Sequence, residues 1–188
     1  MDKEIAPSCL NYWFCRMSNV ESIDLSRIDG SNVKDLVFTF ARCVNLKSVA
    51  LSKGFGDVEN LTGTFYAACS IDSLDLSFLK QGIARSYWAT FAGCYALNDL
   101  QLADQIIVGN MSWCFQGDDA LAYDCSNWDV SRANANIAGM GPNTFASNIT
   151  LPKAWQTTSK KLAESQNGTT TSEDEGPEMP EMMTRQLI

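Results

Sequence analysis

The chain has 188 residues, of which 45% are hydrophobic, and its 22 acidic against 14 basic side chains give a net charge of −8. That length and apolar content suit one domain with a sizeable core. The acidic balance argues against nucleic acid and anionic lipid as partners, since both need clustered Lys and Arg. No apolar run is long enough for a transmembrane helix. The opening Met1-Asp-Lys-Glu-Ile-Ala-Pro7 lacks the apolar stretch of a signal peptide.

Residues from Pro7 to Leu25 form the first copy of a unit that then recurs. Pro7 stands where a helix start tolerates a missing N–H. Leu10 and Phe14 follow at a spacing of four, with Tyr12 and Trp13 covering the open end, and Ile23 and Leu25 alternate as in a strand. The second copy is the clearest. From Val33 to Cys43 apolar residues fall at i, i+3, i+7 and i+10, a helical stripe, and Val49/Leu51 switch to the strand period of two.

The residues in the place of Phe40 are Phe14, Phe65, Phe91 and Phe115. Strand pairs follow at Ile23/Leu25, Val49/Leu51, Leu74/Leu76 and Leu100/Leu102, with Tyr123/Cys125 after a one-residue deletion. Successive steps from Leu25 are 26, 25, 26 and 23 residues. A period of this size with an L-x-x-L-x-L core predicts an α/β, leucine-rich-repeat-like solenoid. Five to six helix–strand repeats of 23–26 residues are expected, presenting one short parallel sheet face.

A degenerate sixth copy is expected around Ala133, Ile137 and Met140, broken by Gly139-Met-Gly141-Pro142. Phe145, Ile149, Leu151 and Trp155 then read as a closing strand and plug. The solenoid with its caps is therefore placed at 1–155. Residues 156–188 turn to Thr, Ser, Glu, Lys, Gly and Pro, an acidic tail whose composition predicts disorder.

Seven cysteines occur without a C-x-x-C pair, and there is no histidine. Cys43 and Cys94 share one repeat position, filled elsewhere by Met17 and Ala68, so they read as small apolar side chains in a structural ladder with the five phenylalanines. No metal centre and no cofactor are expected. Cys9 and Cys15 are close enough in sequence to pair, though nothing in the spacing requires it. Without histidine the commonest general base is missing, and the chain reads as a non-enzyme.

Segments such as Met17-Ser-Asn-Val-Glu-Ser-Ile-Asp-Leu-Ser26, Leu74-Asp-Leu-Ser77 and Asp124-Cys-Ser-Asn-Trp-Asp-Val-Ser131 resemble the BspA-like repeats of bacterial surface proteins. Phe40-Ala-Arg-Cys43 and Phe91-Ala-Gly-Cys94 match the F-x-x-C of that repeat, and Val108-Gly-Asn-Met111 its V-x-x-M. The fifth copy departs from it, with Asp118 in place of the Cys. The resemblance covers roughly residues 7–140 and implies a secreted or wall-attached protein of a host-associated bacterium, with an adhesive role and no catalytic residues.

Solenoids use their extended faces for recognition. The residues expected to point outward from the strands include Asp24, Asp75, Asp99, Gln101 and Asp124. This small, acidic row is the candidate binding face for a protein or glycan. The alternatives are a structural spacer that holds another domain away from a cell wall, and, much less favoured, carboxylate catalysis.

Overall fold

The computed structural model describes residues 6–81, 83–133 and 148–156. Its strands form where the sequence alternates. Ser22–Leu25 (β1) buries Ile23 and Leu25 and exposes Ser22 and Asp24. Ser48–Leu51 (β2), Ser73–Leu76 (β3) and Asp99–Leu102 (β5) repeat the element, and Tyr123–Asp124 (β7) and Ile149–Thr150 (β8) close the series. β1 pairs with β2, β3 with β5 and β7 with β8, all parallel. Parallel pairing of strands about one repeat apart requires the chain to coil once between them.

A second ladder lies across the coil. Asp35 bridges Asn60, Asn60 bridges Ser86, and Ala84–Ser86 (β4) pairs with Ile107–Asn110 (β6), whose Ile107 bridges Asp129. Its interior positions are Val33, Val58 and Val108, and a fully buried Arg85 opposite Val108. Burial is tolerated there because the guanidinium donates to the Val58, Gly56 and Ile83 carbonyls at 2.8, 3.0 and 3.3 Å.

The third side of each coil corrects the expected helix. Residues 10–17, 36–43, 61–68 and 87–94 are chains of tight turns with no α-helical hydrogen bonding. Tyr12, Arg16, Phe38, Arg42, Ala67, Ala89 and Trp113 have positive φ, as do Gly63, Gly93 and Gly117. Two such residues four apart recur in every coil, and each ends a run of right-handed backbone before a second helical turn can form. Alternate N–H groups leave the run altogether. Leu36, Phe38, Phe40 and Arg42 donate to Asn60, Thr62, Thr64 and Tyr66 carbonyls of the next coil at 2.7–2.9 Å. The N–H groups between them close turns three residues long, such as Thr39 to Leu36 and Ala41 to Phe38.

The molecule is thus a β-solenoid of about four turns with almost no helix, rather than five to six helix–strand repeats. Among the described residues, helical backbone is limited to a 3-10 turn at Lys53–Asp57 and a single turn at 153–156.

The core runs down the axis as stacked rings. Phe14, Phe40, Phe65, Phe91 and Phe115 lie face to face with centroids 5.6, 5.3, 6.1 and 5.5 Å apart. Phe14, at the open end, is half-buried and the other four are fully buried. Beside them Cys43 and Cys94 are buried, their thiols donating to the Phe14 and Phe65 carbonyls at 2.9 and 3.1 Å. All seven cysteines are free, Cys9 and Cys15 included. Of the closing elements, Ala133, Ile149 and Trp155 pack on the core. Ile137, Met140, the Gly139–Pro142 break, Phe145 and nearly all of the expected tail lie outside the described residues.

Candidate binding faces

Asp24, Asp75, Asp99, Gln101 and Asp124 are all exposed on the strand side. Register places Asp24 beside Ala50, Asp75 beside Gln101, Ser73 beside Asp99 and Asp124 beside Thr150. The expected continuous sheet is, however, three separate two-stranded ladders. Asp24 therefore belongs to a different ladder from Asp75, Asp99 and Gln101, and Asp124 to a third.

Three of these aspartates have a local task. Asp24, Asp75 and Asp124 accept the backbone N–H of Ser26, Ser77 and Ser126 at 2.8, 2.9 and 2.8 Å. Asp29 and Asp129 do the same for Ser31 and Ser131. The D-x-S spacing of the repeat is thus a side-chain-capped turn that bends the chain out of the strand. Hydrogen bonds from the hydroxyl and the backbone N–H of that serine hold each carboxyl below its usual range.

The break between β2 and β3 is the most distinctive feature of this side. The link from Leu51 to Leu61 is one residue shorter than that from Leu25 to Leu36 and contains the 3-10 turn. β2 and β3 are not ladder-paired, and Val49 and Leu51 are only half-buried where Ile23/Leu25, Leu74/Leu76 and Leu100/Leu102 are buried. A cleft of about 530 Å³ opens there, lined by Val49, Ala50, Leu51 and Lys53 on one side and Asp75, Ser77 and Phe78 on the other. Of the row read from sequence, Asp75 alone reaches it. The one-residue shortening was visible in the sequence, but its consequence for pairing was not.

Chemistry elsewhere is muted. Burial pushes the thiols of Cys94, Cys114 and Cys125 up, so they are poor nucleophiles at neutral pH. Asp118 is fully buried, with Oδ1 accepting the Cys94 N–H at 2.9 Å and Oδ2 without a protein partner. Desolvation pushes its carboxyl up to about 8. Sequence reading marked it only as a departure from Cys. Among the described residues no group of three His, Cys, Asp or Glu is arranged to hold a metal ion. Nor is any described helix long and apolar enough to cross a membrane.

Residues 85–169 match the family described as "Mycoplasma protein of unknown function, DUF285". That match covers less than half of the chain and enters the last described turns from β4 onward. No curated protein and no solved structure is significantly similar to the chain.

Proposed function

We propose that this is a non-catalytic binding module of a bacterial surface or secreted protein, adhesin-like, which meets a protein or glycan with its strand side. The chain reads as a diverged BspA-like repeat protein, and its match to a mycoplasmal family over residues 85–169 is compatible with a host-associated source. The observation that carries the reading is the cleft between β2 and β3. It places half-exposed Val49, Leu51 and Phe78 beside Lys53 and the acidic Asp75 in an otherwise small, polar face. Apolar surface flanked by single charges of each sign is a recognition geometry.

The test uses Asn in place of Asp. Asp24→Asn, Asp75→Asn, Asp99→Asn and Asp124→Asn together remove four charges yet keep an oxygen to cap each turn. The wild-type chain is expected to capture a ligand from an array of extracellular-matrix proteins and glycans, with binding that falls as salt rises. The fourfold variant should fold normally and bind more weakly. Undiminished binding would remove the strand side from consideration.

A spacer reading is favoured by a specific observation: the same aspartates are engaged with their own backbone turns. An array with no ligand at micromolar concentration would select it.

A further inference from the structure

The turn-run side of the solenoid has the opposite character to the strand side. Residues 10–17, 36–43, 61–68 and 87–94 contain no Asp, Glu or Lys, and two arginines, in a chain whose net charge is −8. Arg16 and Arg42 hold the same repeat position in adjacent coils, tied by Arg16 N–H to the Ala41 carbonyl and Arg42 N–H to that of Tyr66. Both have positive φ, 65° and 59°, at equivalent positions of the turn run. Arg42 lies over the Tyr66 ring at 6.0 Å, and the Nε of half-buried Arg16 has no protein partner.

Beside the arginines is a group of rings. Tyr12 stacks on Phe38 at 5.7 Å, and Tyr66 and Trp88 meet Phe38 edge-on at 6.3 Å each. The group is made possible by Gly63, where a Cβ would stand 2.3 Å from the Phe38 ring. Tyr12 and Trp13 are 37% and 47% exposed, and Tyr66 and Trp88 are half-buried.

We propose that this face binds a short acidic saccharide. The exposed rings would stack on the C–H faces of sugar rings, and the paired guanidinium groups of Arg16 and Arg42 would take one carboxylate. Aromatic faces are sequence-tolerant apolar platforms, and a planar guanidinium matches a carboxylate with two parallel hydrogen bonds. Two positive charges against a net −8 suit a ligand carrying few charges, whereas a long polyanion would be repelled by the rest of the surface. This inference concerns a different face from the strand side and stands without it.

The experiment uses the full chain and four probes observed by saturation-transfer NMR and titration: trigalacturonate, its full methyl ester, maltotriose and oligo-dT. Trigalacturonate is expected to bind, and the ester, which keeps the rings and loses the charges, to bind about tenfold more weakly. Arg42→Gln should abolish the preference for the acid over the ester. Tyr12→Ser, at a partly exposed site, should weaken both. Urea denaturation of each variant separates lost binding from lost folding. The proposal is overturned if trigalacturonate does not bind at millimolar concentration, if acid and ester bind equally, or if folded Arg42→Gln keeps the preference. Tighter, Arg42-dependent binding of oligo-dT would also overturn it, in favour of single-stranded nucleic acid.

Discussion

Asp118 occupies a slot that Met17, Cys43, Ala68 and Cys94 fill in the coils before it. A thiol there donates to a carbonyl of the preceding coil, whereas the carboxyl accepts the Cys94 N–H instead. Its surroundings are Cys94, Cys114 and the neighbouring Asp119, and burial outweighs its hydrogen bonds, so the proton is retained. The folded carboxyl releases its proton near pH 8, the unfolded one near 3.8. Below the lower value both states are protonated and stability is level. Between the two values only the folded state holds the proton, so stability falls as pH rises, by up to about 1.4 kcal/mol per unit. The capped aspartates act elsewhere: their lowered values give stability that is lost only as pH falls below the ordinary carboxylate range. Urea midpoints measured from about pH 5 to about pH 8 should therefore decline in the wild type, and Asp118→Asn should flatten that decline. A parallel decline in both would place the titrating group elsewhere.

At the scale of the element, the turn run depends on residues that sit in left-handed backbone without being glycine. Gly63 and Gly93 test this together, because both have positive φ, 56° and 76°, and occupy the first and the second left-handed position of the turn run in neighbouring coils. A Cβ on Gly93 would meet Ala67 at an ordinary 3.5 Å, so Gly93→Ala should cost only the backbone penalty, about 1–2 kcal/mol. A Cβ on Gly63 would drive into Phe38, which is wedged by Tyr12, Tyr66 and Trp88. Gly63→Ala should therefore lose a further ~1–3 kcal/mol from overpacking. Equal losses from the two variants, read by chemical denaturation, would mean that Phe38 does not lie over Gly63. The sequence made the repeat, the Phe series and the buried strand positions legible, because inward residues recur whatever backbone carries them. It misled on the helix for the same reason. Leu36, Phe40 and Cys43 point inward at spacings of four and three, which a helix and this chain of turns share. What distinguishes them is positive φ at Phe38 and Arg42, residue types that give no such signal, and N–H partners about 24–25 residues away. The strand row was legible as exposed, but its division into three ladders follows from link lengths and a turn conformation that periodicity does not encode.

For the whole molecule, the question is where the folded unit closes. A solenoid is stable only if each coil, including the last, has its inner face covered. Here β8 pairs with β7, Cys125 N–H reaches the Thr150 carbonyl at 2.8 Å, Pro152 is buried and Trp155 packs on the core. These contacts lie close to the boundary at 155 expected from composition, yet the family match continues to residue 169. Three truncations separate the two boundaries. Chains ending at 156 and at 169 should unfold in urea with the midpoint and cooperativity of the full chain, since both keep Ile149 and Trp155. A chain ending at 147 loses β8 and uncovers the side of Tyr123 and Cys125 that it pairs with, so its midpoint should drop and its transition broaden as the last coil frays. If the chain ending at 156 also loses its sharp transition while the one ending at 169 keeps it, residues 157–169 belong to the cap. The folded unit would then end where the family match ends.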